Sequence, residues 1–213
     1  EIRPRDWSSD VCSSDLLRAA IVDTSWSAAF ISYVIRQSGV APNAFAVANA
    51  HRVYIYDAFA TSSAELSGTA SERLYRACPI ATRPRVGDLI CNHRESALAV
   101  FSDGAVRDRI RLELSGPSNA RSIRRTHCEV VAHVDTRARK AYTIGGNVNQ
   151  SITVRKQNLR QRDLRFSAAQ TCRCGGKGAW TLPSSTPEAS STPSPKLKCS
   201  LNDRKWFVLL QVR

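Results

Sequence analysis

The chain has 213 residues, of which 42% are hydrophobic and 23% are charged, the balance of a single globular domain with a real core. No stretch reaches the roughly 18 consecutive apolar residues that a membrane-spanning helix needs, so we expect no membrane span. The formal net charge is +13, which predicts attraction to polyanions such as nucleic acid or acidic cell-wall polymers.

Most of this charge is local, because residues 107–165 contain 14 Lys/Arg and 5 Asp/Glu. A charge run of this kind is usually a solvated basic face. Aromatic residues do not alternate with the charges, which argues against a stacking platform for single-stranded nucleic acid. Nucleic acid is therefore kept as a partner class, with no motif to support it.

The first 16 residues, EIRPRDWSSDVCSSDL, resemble a translated sequencing-adaptor peptide, and we interpret residues 1–16 as a non-native leader. The chain contains no Met, so we expect its native start and any export signal to be missing. Residues 17–213 then predict one domain. A Pro/Ser/Thr-rich stretch at 182–196 predicts a surface insertion in that domain.

Helical patterns come first in the domain. A short amphipathic run at 16–23 precedes a second helix that Thr24 or Ser25 would cap and Gly39 would end. A further helix is predicted at 43–60, with Asn43 as its cap. Residues 115–126 read as a polar loop.

The later part of the chain has short β-rich runs bounded by turn residues. The predicted strands are 85–93, 97–102, 127–134, 140–148, 151–156 and 205–212. Helices followed by strands favour an α+β fold with N-terminal helices packed on an antiparallel sheet, over a parallel sheet built from βαβ units.

Ser27 is expected in the first turn of the helix in DTSWSAAF. A helix N-terminus offers unpaired N–H groups and partial positive charge, which stabilise an anion there. A nucleophile at this place gains help toward ionisation and an oxyanion site. The alternative is that Ser27 only fills or caps the first turn, as Ser often does.

A histidine opens the strand in THCEVV, and a Gly-Gly-Asn turn interrupts TIGGNVNQ. Ser27 as nucleophile, His127 as base and Asn147 as the group that orients the imidazole occur in the chain order of a papain-like site. These three residues are our candidate catalytic set.

Five stretches in order resemble the bacterial family named domain of unknown function 2272 (DUF2272). They are WSAAFISYVIRQSGV, AHRVYI, VGDLICNHR, HCEVV and IGGNVNQSITVR. The family in turn is similar to NlpC-type and CHAP-type cell-wall peptidases and amidases, so the resemblance implies a papain-like (NlpC-type) fold. Carried over, it places the nucleophile at Ser27, the base at His127 and the orienting amide at Asn147. Ser27 stands where those peptidases have Cys, and a Ser hydroxyl lacks the acidity of a thiol.

The resemblance also marks Trp26, His51 and Asp88 as residues of the substrate-binding cleft, with Asp88 in the turn before a strand. From the sequence alone, His51 would lie in the middle of a helix, where a packed or solvated His is the alternative. Arg94 could bind a substrate carboxylate, with a surface Arg as the alternative. The spacing of the histidines predicts no metal site, and we expect no cofactor.

With Cys12 set aside, the six other cysteines suit disulfides in an exported protein, which favours a periplasmic or secreted location. Cys91 and Cys128 would lie on neighbouring strands, so a bridge between them is one expectation and buried free thiols are the other. The function expected is hydrolysis of amide bonds in peptidoglycan or a related peptide. The alternative is an inactive domain that binds the cell wall or another anionic polymer through the same cleft. The sequence carries no prediction of oligomeric state.

Overall fold

The computed structural model describes residues 25–94, 102–117, 122–123, 125–148, 151–166 and 206–213. Within these ranges the elements are α1 (Ser27–Gln37), α2 (His51–Leu66), β1 (Tyr75–Pro79), β2 (Leu89–His93), α3 (Asp103–Leu114), β3 (Thr126–Asp135), β4 (Lys140–Val148), β5 (Ser151–Asn158) and β6 (Trp206–Val212). The strands form one sheet of order β1-β6-β2-β3-β4-β5 in which every pairing is antiparallel. Helices on an antiparallel sheet confirm the predicted α+β class.

The last strand, β6, lies inside the sheet between β1 and β2. Val208 and Leu210 belong to the hydrophobic cluster that includes the buried faces of the helices. Leu209 belongs to a second cluster, with Ile90 of β2. A strand with apolar residues on both faces is buried on both faces, which explains why the run at 205–212 is almost continuously hydrophobic.

Helix α1 buries Ala28, Ile31 and Ile35 against the sheet, at the spacing of one helical face. It ends before Gly39, whose positive φ of 78° is the left-handed conformation in which helices commonly stop. The helix contacts β3 and β4. A Cβ at Gly146 of β4 would lie 2.6 Å from Cβ of Phe30, so the helix comes this close only because Gly146 has no side chain.

The prediction of a helix from residue 43 to residue 60 is wrong at both ends, because α2 begins at His51 and continues to Leu66. The preceding segment is a loop whose backbone is bound by α1. The Ser32 hydroxyl donates to the Ala48 carbonyl at 2.9 Å, and Ser32 Oγ accepts a hydrogen bond from the Ala48 N–H at 3.1 Å. Ala48 therefore makes hydrogen bonds that replace those of a helix. The bonds hold this loop against α1.

Two elements were not predicted. They are strand β1 and helix α3, and the only two fully buried apolar residues of α3 are Val106 and Ile110. The hydroxyl of Ser102 accepts a hydrogen bond from the Ala105 N–H and caps α3, so the predicted strand at 97–102 is wrong at this residue. The rest of that strand lies outside the described residues.

The leader at 1–16, the helical run at 16–23 and the insertion at 182–196 also lie outside the described residues, as does part of the loop at 115–126. Among the helices that the structure describes, none combines the length and the apolar character of a bilayer span.

A disulfide joins Cys91 to Cys128 across β2 and β3, as the first of our two alternatives expected. The two residues are direct cross-strand partners, and both are fully buried. They are 37 residues apart in sequence. A cross-link over a loop of this length stabilises a fold by about 4 kcal/mol in the chain-entropy model. The bond ties the end of β2 to the beginning of β3.

We predict that Gly146→Ala destabilises the protein by about 1–3 kcal/mol, because the new methyl group overpacks the contact with Phe30. Urea denaturation measures the free energy of unfolding. Gly104→Ala in α3 is the matched control, since the nearest atom to a Cβ there is 3.7 Å away. It should be neutral or stabilising by up to about 1 kcal/mol. Equal effects of the two substitutions would contradict the close helix–sheet contact.

Candidate functional site

Ser27 is the first residue of α1, as predicted, but the cap differs from the expectation. The N-cap is Trp26, which is half-buried, and no side chain caps the helix start. Ser25 therefore does not cap it, and Thr24 lies outside the described residues. The first N–H groups of a helix have no partner within the helix. They leave hydrogen-bond donors beside the Ser27 side chain.

The Ser27 hydroxyl is hydrogen-bonded to an imidazole, and the imidazole belongs to His51. Ser27 Oγ lies 2.7 Å from His51 Nε2, and both residues are buried. The other ring nitrogen, Nδ1, is hydrogen-bonded to the phenol of Tyr54, one turn along α2. Serine, imidazole and phenol thus form a continuous buried chain.

His51 is not in the middle of a helix, as the sequence suggested, but is the first residue of α2. The loop held by Ser32 brings the start of α2 to the start of α1. The two helices therefore present their N-terminal residues to each other, and this juxtaposition creates the Ser27–His51 hydrogen bond.

Burial lowers the pKa of His51 well below its ordinary value, and the nearby His127 and Arg94 lower it further. The ring is therefore neutral at pH 7. Burial, with a smaller effect of Tyr75, raises the pKa of Tyr54 well above its usual range, so the phenol is also neutral. The imidazole proton of His51 can be on either ring nitrogen, and both tautomers are compatible with the hydrogen bonds to Ser27 and Tyr54. When the proton is on Nδ1 and is donated to the Tyr54 oxygen, Nε2 accepts the hydrogen bond from the Ser27 hydroxyl.

The ring of His127 lies beside His51, with the ring centres 5.1 Å apart and the planes nearly perpendicular. Among the described residues neither ring nitrogen of His127 has a hydrogen-bond partner, Ser27 included. Its Nε2 lies 3.5 Å from Glu129 Oε1. Burial lowers the pKa of His127, and the charges of Arg94 and Arg155 lower it further. The attraction of Glu129 raises it, but by less.

Glu129 of β3 is the centre of a buried polar cluster with Thr143 of β4 and Arg155 of β5. Its Oε1 is 3.1 Å from Arg155 Nε, and Thr143 Oγ1 donates to its Oε2 at 2.6 Å. Burial favours a neutral carboxyl, but His127, Arg155 and the Thr143 hydroxyl together lower the pKa of Glu129. A buried carboxylate balanced by a guanidinium is stable there, whereas either group alone would be costly.

The two glycines before Asn147 leave space for neighbouring groups, Gly145 for the His127 ring and Gly146 for helix α1. A Cβ at Gly145 would lie 2.8 Å from Glu129 Cγ and 3.1 Å from His127 Nε2. Gly146 packs against Phe30 of α1, as described above. Asn147 itself is half-buried at an irregularity of β4 and has a positive φ of 54°. Its role in orienting an imidazole stays a prediction.

Ser27 and His51 line a cavity of about 330 Å³. The other lining residues are Ser25, Asn49, Ala50, Arg94, Arg125 and Thr126. None of the described lining residues is acidic, and two are arginines. This cavity therefore combines a hydroxyl group, an imidazole hydrogen-bonded to it and two arginines.

The structure separates Asp88 from this cavity, since Asp88 precedes β2 and Arg94 follows it. The buried Asp88 carboxylate accepts hydrogen bonds from the backbone N–H groups of Arg85 and Val212. It holds the turn before β2 against β6. A substrate contact of Asp88 stays a prediction.

A larger cavity of about 850 Å³ lies at the Asp88 end of β2 and is lined by Arg83, Arg85 and Arg165 among others. The described lining contains neither a histidine nor a cysteine, and its charged side chains are arginines. Across the described residues no three His, Cys, Asp or Glu side chains are arranged to hold a metal ion.

Sequence reasoning did not select four residues at or beside this site: Tyr54, Arg125, Glu129 and Arg155. Two of them had a visible signal. Tyr54 follows His51 by three residues, which on a helix places them on one face. Glu129 follows His127 by two residues, which on a strand does the same. Arg155 becomes a partner only through the pairing of β4 with β5.

We predict that the free energy of unfolding decreases as the pH falls below about 6.5, the ordinary pKa of His. The folded protein lowers the pKa of His51 and of His127, so the unfolded chain binds protons more readily and acid favours it. Urea denaturation between pH 8 and pH 5 measures the slope. His51→Gln and His127→Gln should each flatten it, while the exposed His133 provides the control substitution His133→Gln. If neither His51→Gln nor His127→Gln changes the pH dependence of the free energy of unfolding, the two rings are not held neutral by burial.

No curated protein matches the chain, and no solved structure matches it. One family model does, that of the family described as "Uncharacterized protein conserved in bacteria (DUF2272)", over residues 5–212. This match spans nearly the whole chain and includes every element of the site. The protein is therefore a member of the DUF2272 family.

Proposed function

We propose that this protein is a serine hydrolase that cleaves amide bonds in peptidoglycan or a related peptide. The observation that carries the proposal is the 2.7 Å hydrogen bond between Ser27 Oγ and His51 Nε2 in a cavity at a helix start. This distance is within the reach that a general base needs, about 2.6–3.2 Å. The base in the proposal is His51, in place of the His127 expected from the sequence.

In the first half-reaction, Ser27 Oγ attacks the carbonyl carbon of the amide while His51 Nε2 takes the hydroxyl proton. Backbone N–H groups of the first turn of α1 stabilise the oxyanion. The tetrahedral intermediate collapses, the C–N bond breaks, and His51 gives its proton to the leaving amine. A water molecule then attacks the ester, with its proton passing through His51 to Ser27, and the acid is released.

In catalytic triads a carboxylate or an amide orients the histidine base. Here the phenol of Tyr54 would have that role. In the proposed mechanism the phenol oxygen accepts a hydrogen bond from Nδ1–H, and in this tautomer Nε2 is free to take the Ser27 proton. A neutral phenol stabilises an imidazolium less than a carboxylate does, so His51 keeps the low pKa that burial gives it. His127, with Glu129 behind it, packs against His51 and limits the movement of its ring.

A papain-like (NlpC-type) fold is the finer architecture that we propose. Its support is the α+β class, the nucleophile at the first turn of α1 and the histidine at the beginning of β3. Ser in the place of Cys makes proton transfer to the base essential, because an alcohol does not form a stable anion at neutral pH.

Turnover of purified peptidoglycan by the chain without residues 1–16 tests the proposal. We expect Ser27→Ala and His51→Gln to lower the release of new amines and carboxylates by about a thousandfold or more. Ser25→Ala is the matched control, since Ser25 lines the same cavity without the bond to His51. The wild-type rate should fall with acid only below pH 6.5, because the pKa of His51 is lowered.

Two results would contradict this assignment. If His127→Gln abolishes turnover while His51→Gln retains it, the base is His127, as the sequence suggested. If only Ser27→Cys is active, the site is that of a degenerate cysteine peptidase.

The second candidate function is binding of an anionic cell-wall polymer without chemistry. The larger cavity, with Arg83, Arg85 and Arg165, supports it. Arg83 and Arg85 are exposed, and the net charge of +13 adds long-range attraction.

We expect the protein to co-sediment with purified peptidoglycan, and to do so more weakly at 200 mM salt than at 50 mM salt. Arg83→Ala and Arg85→Ala should each weaken this binding, while Arg36→Ala on the last turn of α1 should not. Equal binding by all three variants would contradict a role of the larger cavity. Displacement by double-stranded DNA at the same charge concentration would favour nucleic acid over the cell wall.

A further inference from the structure

Three loops meet at the end of the sheet where β2 begins and β3 ends. They are residues 80–88, 135–139 and 159–166, and we call the surface that they form the basic end. The Leu159 N–H donates to the Arg139 carbonyl at 2.9 Å, which joins the third loop to the second. Side chains from all three loops line the larger cavity of about 850 Å³. The basic end is therefore one continuous surface.

The basic end contains seven arginines and three aspartates, and all seven arginines are exposed. The three carboxylates already have partners. Asp88 and Asp135 accept hydrogen bonds from backbone N–H groups of their own turns, and Asp163 pairs with Arg160 and, at 3.8 Å, with Arg165. Among the described residues, no ion pair is formed by the other five arginines, which are Arg83, Arg85, Arg137, Arg139 and Arg162. The surface is therefore positive, and a partner that fits it is anionic.

One apolar side chain is held outward among these charges, that of Val86, which is 61% exposed. Its turn is closed by a hydrogen bond from the Asp88 N–H to the Arg85 carbonyl at 3.2 Å. Gly87 follows with a positive φ of 92°, and its N–H donates to the Val131 carbonyl of β3 at 2.8 Å. The sheet thus fixes the turn that exposes the valine. Basic and apolar groups side by side bind an anionic lipid surface, by attraction to the phosphates and by burial of apolar area.

The composition of the three loops favours lipid over other polyanions. Their one aromatic residue, Phe166, is buried, so among these loops no aromatic side chain is exposed for bases to stack on. The arginines are distributed over all three loops and are not confined to the lining of the cavity. This distribution suits an extended layer of phosphates, each of which a guanidinium can bind through paired hydrogen bonds.

We propose that the basic end docks on an anionic membrane surface, with its arginines on the lipid phosphates and Val86 among the headgroups. The cavity of Ser27 lies at the opposite end of β3, because Thr126 lines that cavity and Val134 lines the larger one. The strand spans about 25 Å between these two residues. The docked protein therefore presents Ser27 away from the bilayer, toward a polymeric substrate. Only this orientation bears on the proposed function, and the docking itself does not depend on it.

Co-sedimentation of the full chain with vesicles tests the docking. We expect binding to vesicles of equal parts phosphatidylcholine and phosphatidylglycerol, and none to phosphatidylcholine alone. Arg137→Gln combined with Arg139→Gln should lower the partition coefficient by about tenfold or more. The matched control is Arg109→Gln combined with Arg111→Gln, which removes two exposed arginines of α3 and changes the net charge equally. Equal binding to both kinds of vesicle, binding to neither, or equal effects of the two double variants would overturn the proposal.

Val86→Ser separates docking on a bilayer from attraction to any polyanion. It should weaken binding to the anionic vesicles about three- to tenfold, because the apolar contact is lost. It should leave binding of double-stranded DNA unchanged. The same affinity of Val86→Ser and of the wild type for the vesicles would overturn the insertion of this turn.

Competition decides between lipid and the other anionic partners. Peptidoglycan that displaces the protein from the vesicles at the same charge concentration would overturn the lipid assignment in favour of the second candidate function. Displacement by double-stranded DNA would overturn it in favour of nucleic acid. Docking by a wild-type protein that hydrolyses no peptidoglycan would contradict the hydrolase alone, and turnover without docking would contradict the membrane surface alone.

Discussion

The close packing of α1 on β4 is the constraint on which the site depends. Phe30 approaches the backbone of Gly146 at a distance that no other residue type would allow. One turn earlier in the same helix is Ser27, so this contact sets how far the hydroxyl stands from the sheet. From the same helix Ser32 reaches the Ala48 backbone and positions the start of α2. The Phe30–Gly146 contact and the two Ser32–Ala48 hydrogen bonds thus position α1, the loop before α2 and His51.

The fold could be predicted to the level of its class and of most of its later strands. The strands at 140–148 and 205–212 were visible because their residues face a core on one or both sides. Helix α2 was misplaced because the alanine-rich run before it has helix propensity, whereas tertiary hydrogen bonds from Ser32 keep it as a loop. Strand β1 has a mixed burial pattern, with one buried residue, and carries no clear alternation.

The site was half predictable for a related reason. Ser27 at a helix start follows from local capping and periodicity, which one sequence reveals. Its partner does not, because the distance from Ser27 to His51 depends on the path of a loop. Chain order pointed to His127, and the structure places that ring against His51 and beside Glu129. Charge partners across strands, such as Arg155 for Glu129, require the register of the sheet before they can be named.

The disulfide has a consequence for how the site is held. It joins β2 to β3 three residues from Arg94 and three residues from Arg125, so it restricts the separation of the strand ends that carry the arginine side of the cavity. In a reducing compartment, or in a preparation made there, these strand ends are held only by backbone hydrogen bonds and packing. The helix side of the cavity, with Ser27 and His51, requires no oxidation. The arginine side of the cavity thus depends on a covalent bond between strands, whereas the helix side depends on packing and hydrogen bonds.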